Sequence, residues 1–219
     1  MKKDLRTTNL GTMLLTSLLM LAAMPLAAQD RVILLPESEV QIDGTSTVDD
    51  FTCRAATVRG SGALAGGERT LVKKAALADD TDTDADVRIR VPVATFDCGR
   101  RRMNTDLYRA LQADAHPFIE YELASAELID EPRTAAGPYR LRAAGRLTIA
   151  GTTRAVEVVL EGERLPDGRV QARGQLPLQM SAFGIEPPTA LLGLVRAHDD
   201  ITVRFRLVAA PADEQARNH

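Results

Sequence analysis

The sequence predicts an all-β fold, an antiparallel sheet of about eight strands closed into a barrel with one short α-helix. Three observations carry this prediction. Period-two alternation of apolar and charged residues recurs along the chain, Pro- and Gly-marked turns fall between the alternating runs, and no helical crossover of the kind parallel strands need interrupts them. A barrel is favoured over a sandwich because the chain has no Trp to pin against an inter-sheet disulfide. Long single-faced strands joined by short hairpins also leave no exposed edge once the sheet closes.

The first element is a leader. Lys2, Lys3 and Arg6 precede an apolar run from Thr12 to Ala28 that is broken by Pro25 and ends in small residues, the pattern of a signal peptide over residues 1–28. The run falls short of the roughly 20 apolar residues of a spanning helix, and no Cys follows it to be acylated, so an exported product, periplasmic or secreted and without stable membrane insertion, is expected. About 190 residues remain, enough for one domain with a substantial core, placed at 36–210 and followed by a disordered tail at 211–219.

The clearest strands set Val87, Ile89 and Val91 against Arg88 and Arg90, and Ile119, Tyr121 and Leu123 against Glu120 and Glu122. Val156, Val158 and Leu160 alternate with Glu157 and Glu161, and Ile201, Val203, Phe205 and Leu207 with Thr202, Arg204 and Arg206. Each has one wet and one dry face. Weaker strands are expected at 40–46, 51–58, 70–77, 139–149 and 170–180. Turns are expected at Gly60-Ser61-Gly62, Gly66-Gly67, between Asp130 and Gly137, at Ala150-Gly151-Thr152 and at Pro166-Asp167-Gly168. The last two make the strands from Tyr139 to Met180 a meander. The helix is expected from Asn104 to Asp114, with Met103, Leu107, Tyr108 and Leu111 on one face and His116-Pro117 closing it. Such a helix can cover an opening or pack on a core.

Composition removes several function classes. A net charge of -3 gives no reason to expect nucleic acid or an anionic membrane surface as partner. His116, His198 and His219 are too scattered for a metal signature, and His116 reads as a structural or capping histidine. The run from Asp79 to Asp86 starts like a calcium loop but puts Ala85 at the turn glycine and Val91 at the bidentate glutamate, so it reads as a solvated turn. No Gly-x-Ser-x-Gly elbow accompanies Ser38, Ser46, Ser61, Ser125 or Ser181, and 4% aromatics without Trp argue against a sugar platform. No catalytic residue, metal or cofactor is therefore assigned, and the chain is not read as an enzyme. Cys53 and Cys98, in an exported chain, are expected to form a disulfide tying an early strand to the loop before the helix, with free or redox-active thiols as the alternative. The dry faces form either a filled core or the wall of a cavity for an apolar ligand, and periodicity leaves both open.

Three segments carry a resemblance. VATFDCGRRRMNTDLYRALQADAHPFIEYELASAEL, GRLTIAGTTRAVEVVLEG and FGIEPPTALLGLVRAHDDITVRFRL, with Gly44-Thr45-Ser46 ahead of them, resemble the YceI-like family of exported lipid- or polyisoprenoid-binding proteins from about Val40 to Leu207. The resemblance implies a lipocalin-like barrel whose apolar tube holds a polyprenyl chain. Its lining would come from Val87, Ile89, Val91, Ile119, Tyr121, Leu123, Leu141, Leu147, Val156, Val158, Leu160, Leu176, Leu178, Met180, Val203 and Phe205. Leu107 and Leu111 would face inward from the helix, and Phe183 would rim the mouth. The partner implied is an apolar lipid of the polyisoprenoid class; the alternative is a ligand-free β domain acting as an interaction or stress-related module.

Overall fold

The computed structural model describes residues 29–65, 87–130, 137–190 and 194–212. The leader expected at 1–28, the turn expected at Gly66-Gly67, the strand expected at 70–77, the acidic run up to Asp86, residues 131–136 and residues 213–219 lie outside the described residues.

Short-period alternation closes the chain into an eight-strand antiparallel barrel. Three of its staves are bent, each made of two strands end to end: β1 (Gln29–Leu34) with β2 (Glu39–Ser46), β3 (Asp50–Ala55) with β4 (Arg59–Ala65), and β5 (Arg88–Pro92) with β6 (Phe96–Asp97). The others are β7 (Phe118–Asp130), β8 (Tyr139–Ile149), β9 (Thr152–Arg164), β10 (Val170–Gln179) and, after the short β11 (Thr189–Ala190), β12 (Val195–Pro211). Each stave pairs with the next along the chain, and the ring closes where β12 meets both β1 and β2.

Pro36 and Pro92 stand at two of the bends, where a ring nitrogen cannot donate to a ladder. Side chains replace the lost bonds. The buried Ser38 hydroxyl donates to the Val208 carbonyl (3.2 Å) and accepts from the Val208 N–H (3.0 Å). Thr95 Oγ1 donates to the Pro92 carbonyl (2.8 Å), and the Thr95 carbonyl accepts from Ala56 N–H (2.9 Å).

Several expectations change. Gly60-Ser61-Gly62 is strand, not turn: it lies inside β4, paired with β1 and β5. A Cβ on Gly60 would stand 2.9 Å from the Arg88 carbonyl oxygen, and one on Gly62 2.9 Å from Val87 Cγ2, so these glycines allow neighbouring strands to close up. The strand expected at 51–58 ends at Ala55. Pairing of Val32 with Pro211 and Leu34 with Ala209 brings residues ahead of position 36 into the barrel and makes Pro211 strand. The Ala150-Gly151 hairpin joins β8 to β9 as expected, with both residues at positive φ.

Helix α1 spans Arg101–Ala110, starting before Asn104 and giving way to a turn ahead of Asp114. Asn104 has the side chain of a helix opener, yet it points back out of the first turn. Its Oδ1 accepts from Cys98 N–H (2.8 Å) and its Nδ2 donates to Asp97 Oδ1 (3.0 Å). Leu111, just past the helix, is buried with Val93, Leu147, Ile149, Met180, Phe183 and Ile185. A second cluster of Ile42, Cys53, Ala55, Val58, Val91 and Phe96 packs against Leu107 and Tyr108. Most of the packed core therefore lies at the helix end of the barrel.

Candidate functional site

Alternation along the staves sends charge outward. Arg146 reaches Glu122 at 2.5 Å, Arg90 reaches Glu120 at 2.6 Å, and Arg142 stands between Glu127 and Glu157 at 3.1 Å from each. The Arg146 hydrogen bond, first among the causes, holds the Glu122 carboxyl below its ordinary range. With cations and carboxylates matched on the outer face, the opposite face of the same strands is left apolar.

That inner face encloses a cavity of about 820 Å³. Val87, Ile89, Val91, Ile119, Tyr121, Leu123, Leu141, Leu147, Val158, Leu160, Leu176, Met180, Val203 and Phe205 lie on its wall, as do Leu107, Leu111 and Phe183 at the helix end. Val156 and Leu178 do not. They line a second cavity beside β9 and β10. The far wall distinguishes a hollow from a filled barrel: Leu123, Leu141, Leu160 and Phe205 line the cavity, remain partly exposed and belong to none of the packed core clusters. The barrel is hollow.

Other wall residues escaped the sequence reading. Val40, Ile42 and Phe51 come from β2 and β3, whose alternation is interrupted by Gly44 and by polar residues, and Met103 comes from the helix face already noted. The rim is polar: Arg100, Arg102 and Asp106 from the start of α1, and Ser46, Asp49 and Asp50 from the turn between β2 and β3. Arg102 faces Asp106 at 4.0 Å.

Cys53 and Cys98 are bonded, and both lie on the cavity wall. They continue the β3–β6 register one step past Arg54 opposite Asp97, so the bridge fastens the start of α1 to the barrel. Asp97 reinforces it. The Asn104 side chain and then the Gly99 N–H hold its carboxyl below the usual value.

Among the described residues, one buried side-chain polar group has no partner. The Tyr121 hydroxyl is buried without a hydrogen bond, and burial raises its pKa above the ordinary 10.0. It lies over Gly145 on the adjacent strand, where a Cβ would fall 2.7 Å from Tyr121 Oη and 2.4 Å from the Glu122 carbonyl oxygen. His116, at the helix exit, packs its ring over Gly151: a Cβ there would be 2.6 Å from Nε2.

The described residues contain no group of three or more His, Cys, Asp or Glu side chains placed to hold a metal ion, and no helix long and apolar enough to cross a membrane.

The family model described as a YceI-like domain matches residues 37–209. A polyisoprenoid binding domain from Saccharophagus degradans, implicated in plant cell wall breakdown, aligns with a TM-score of 0.60 at 9% identity, covering 84% of this chain and 99% of that one. BcnA of Burkholderia cenocepacia aligns with a TM-score of 0.56 at 18% identity, covering 79% of this chain and 96% of that one. At these identities the two structures share the fold. No curated protein matches the chain.

Proposed function

The chain belongs to the YceI-like domain family, and from that premise we propose that it is an exported carrier, periplasmic or secreted, that holds a long apolar lipid inside its barrel. The lipid is a polyisoprenoid or fatty chain. The observation that carries this reading is the hollow interior, about 820 Å³, walled mainly by apolar side chains with polar residues at its rim. A chain that loses about 400 Å² of apolar surface to such a wall gains about 10 kcal/mol before the cost of immobilising it, so tight binding needs no polar contact along its length. The reading assigns no reaction, cofactor or metal. Export rests on the leader at 1–28 and is consistent with a disulfide beyond it.

Mass spectrometry of a chloroform extract of natively purified protein tests the cargo. Near-stoichiometric isoprenoid or fatty chain is expected; an empty extract, together with no uptake of added polyprenol, overturns the proposal. Edman sequencing of the exported product should begin at Gln29.

A further inference from the structure

β9 and β10 pair over only part of their length. Their ladder runs from Val170 opposite Arg164 to Gly174 opposite Leu160 and then stops, while the ladders on their other edges continue. In an unbroken register Val156 would face Leu178. Instead the second cavity enters the wall here, lined by Ala155, Val156, Pro177, Leu178, Ala182 and Phe183. Pro177 carries no N–H with which to extend a ladder. Beyond the gap, Arg154 Nε donates to the Ala182 carbonyl (2.8 Å) and ties β9 to the turn after β10. The result is a window in the barrel wall with an apolar throat. Its outer approach is polar, with Arg204 paired to Asp43 at 2.7 Å.

Asp50, Phe51, Thr52, Gln179, Phe183 and Ile201 belong to the walls of both cavities and form the partition between them. Phe183, next to the Ala182 carbonyl that Arg154 holds, is the ring of that partition at the β9–β10 gap. Phe183 closes a short 3-10 turn, Met180–Phe183, and Gly184 follows in the left-handed region at φ 70°. A glycine there can absorb the backbone change of a swinging turn.

We infer that this window, gated by Phe183, is a lateral door through which the apolar chain enters and leaves the barrel; the inference rests on the carrier reading. The competing route, the mouth beside α1, is obstructed. Leu111 is packed in the core there, and the Cys53–Cys98 bridge and the Asn104 bonds hold the helix down, so widening the mouth breaks core contacts. Phe183 is buried in the same cluster as Leu111, so the window too opens at the expense of core contacts, but it moves one ring and one short turn, whereas the mouth is also held by a covalent bridge.

Uptake and release of a tritiated long-chain polyprenol from phosphatidylcholine vesicles, followed with the full chain, test the door. Leu178→Trp plugs the throat from β10, and Val156→Trp plugs it from β9. Both are expected to slow uptake and release by about tenfold or more, with final occupancy unchanged. Leu194→Trp is an equally bulky change at an exposed residue on neither cavity wall, and keeps the parent's rates. Parent rates in both window variants overturn the door and leave the mouth as the route. If the parent itself takes up no polyprenol, the carrier reading fails and the door with it.

Discussion

Tyr121 and Gly145 illustrate what single residues contribute to this barrel. The alternation of Ile119, Tyr121 and Leu123 makes the inward direction of Tyr121 legible, but the fate of its hydroxyl depends on a glycine from the next strand, which no local pattern reveals. A buried hydroxyl without a partner costs its desolvation, so Tyr121→Phe is expected to stabilise the fold by about 1 kcal/mol in urea denaturation. Gly145→Ala drives a methyl into the Glu122 carbonyl and the Tyr121 ring, and a loss of about 1–3 kcal/mol is expected. The phenol also sets a pH signature. Its pKa is raised in the folded state, so above pH 10 the unfolded chain gives up its proton first and the folded chain binds more protons; stability must fall as pH rises there. Alkaline unfolding should be shallower in Tyr121→Phe than in the parent, and equal slopes would refute the assignment. Ala150 is a second case: at φ 47° it occupies a left-handed position of a tight hairpin that suits Asn, so Ala150→Asn should stabilise by about 0.5–1 kcal/mol.

At the level of elements, single strands are legible in the sequence, and the joins that make two of them one bent stave are not. β9 and the second half of β12 carry their alternation plainly, Val156, Val158 and Leu160 against Glu157 and Glu161, and Ile201, Val203, Phe205 and Leu207 against Thr202, Arg204 and Arg206. β1, β4 and β6 are short pieces whose partners lie far along the chain, and β4 looked like a turn because its glycines serve close packing between strands, which local sequence does not distinguish from turning. The start of α1 was misplaced for a related reason: the side chain of Asn104 bonds backward to Cys98 and Asp97. This clasp is testable. In Asn104→Ala the Asp97 carboxyl should move up toward its ordinary 3.8 in an NMR titration, since the contribution of a lowered carboxyl pKa is present above that value and is lost as pH falls below it. An unchanged titration would mean that the bond does not form in solution. The disulfide is the stronger fastening. Replacing Cys53 and Cys98 by Ser releases a loop closed across a separation of 45 residues, and the chain-entropy model gives a loss of about 4 kcal/mol, read from the urea midpoint at constant slope.

For the whole molecule, the decisive property is the distance between facing dry walls. Periodicity identifies which face is dry but not how far apart opposite walls stand, because the radius is set by how many staves close the ring and how they tilt, a relation among residues spread over the entire chain. A hollow barrel forgoes the dispersion contacts that a filled core would make, and a bound chain supplies them. Cargo and stability are then linked. At a hundredfold excess over its dissociation constant, a lipid that binds only the folded state adds about 2.7 kcal/mol, which for a domain of this size raises the melting temperature by about 5–10 °C. Ala172 offers a way to break the link, since it lies on the cavity wall and is only half-buried. Ala172→Trp places an indole in the lumen where the chain would lie. The variant should fold, melt at or above the temperature of the lipid-free parent, and show no shift when polyprenol is added. An equal shift in parent and variant would place the lipid outside the barrel, and the hollow would then need another explanation.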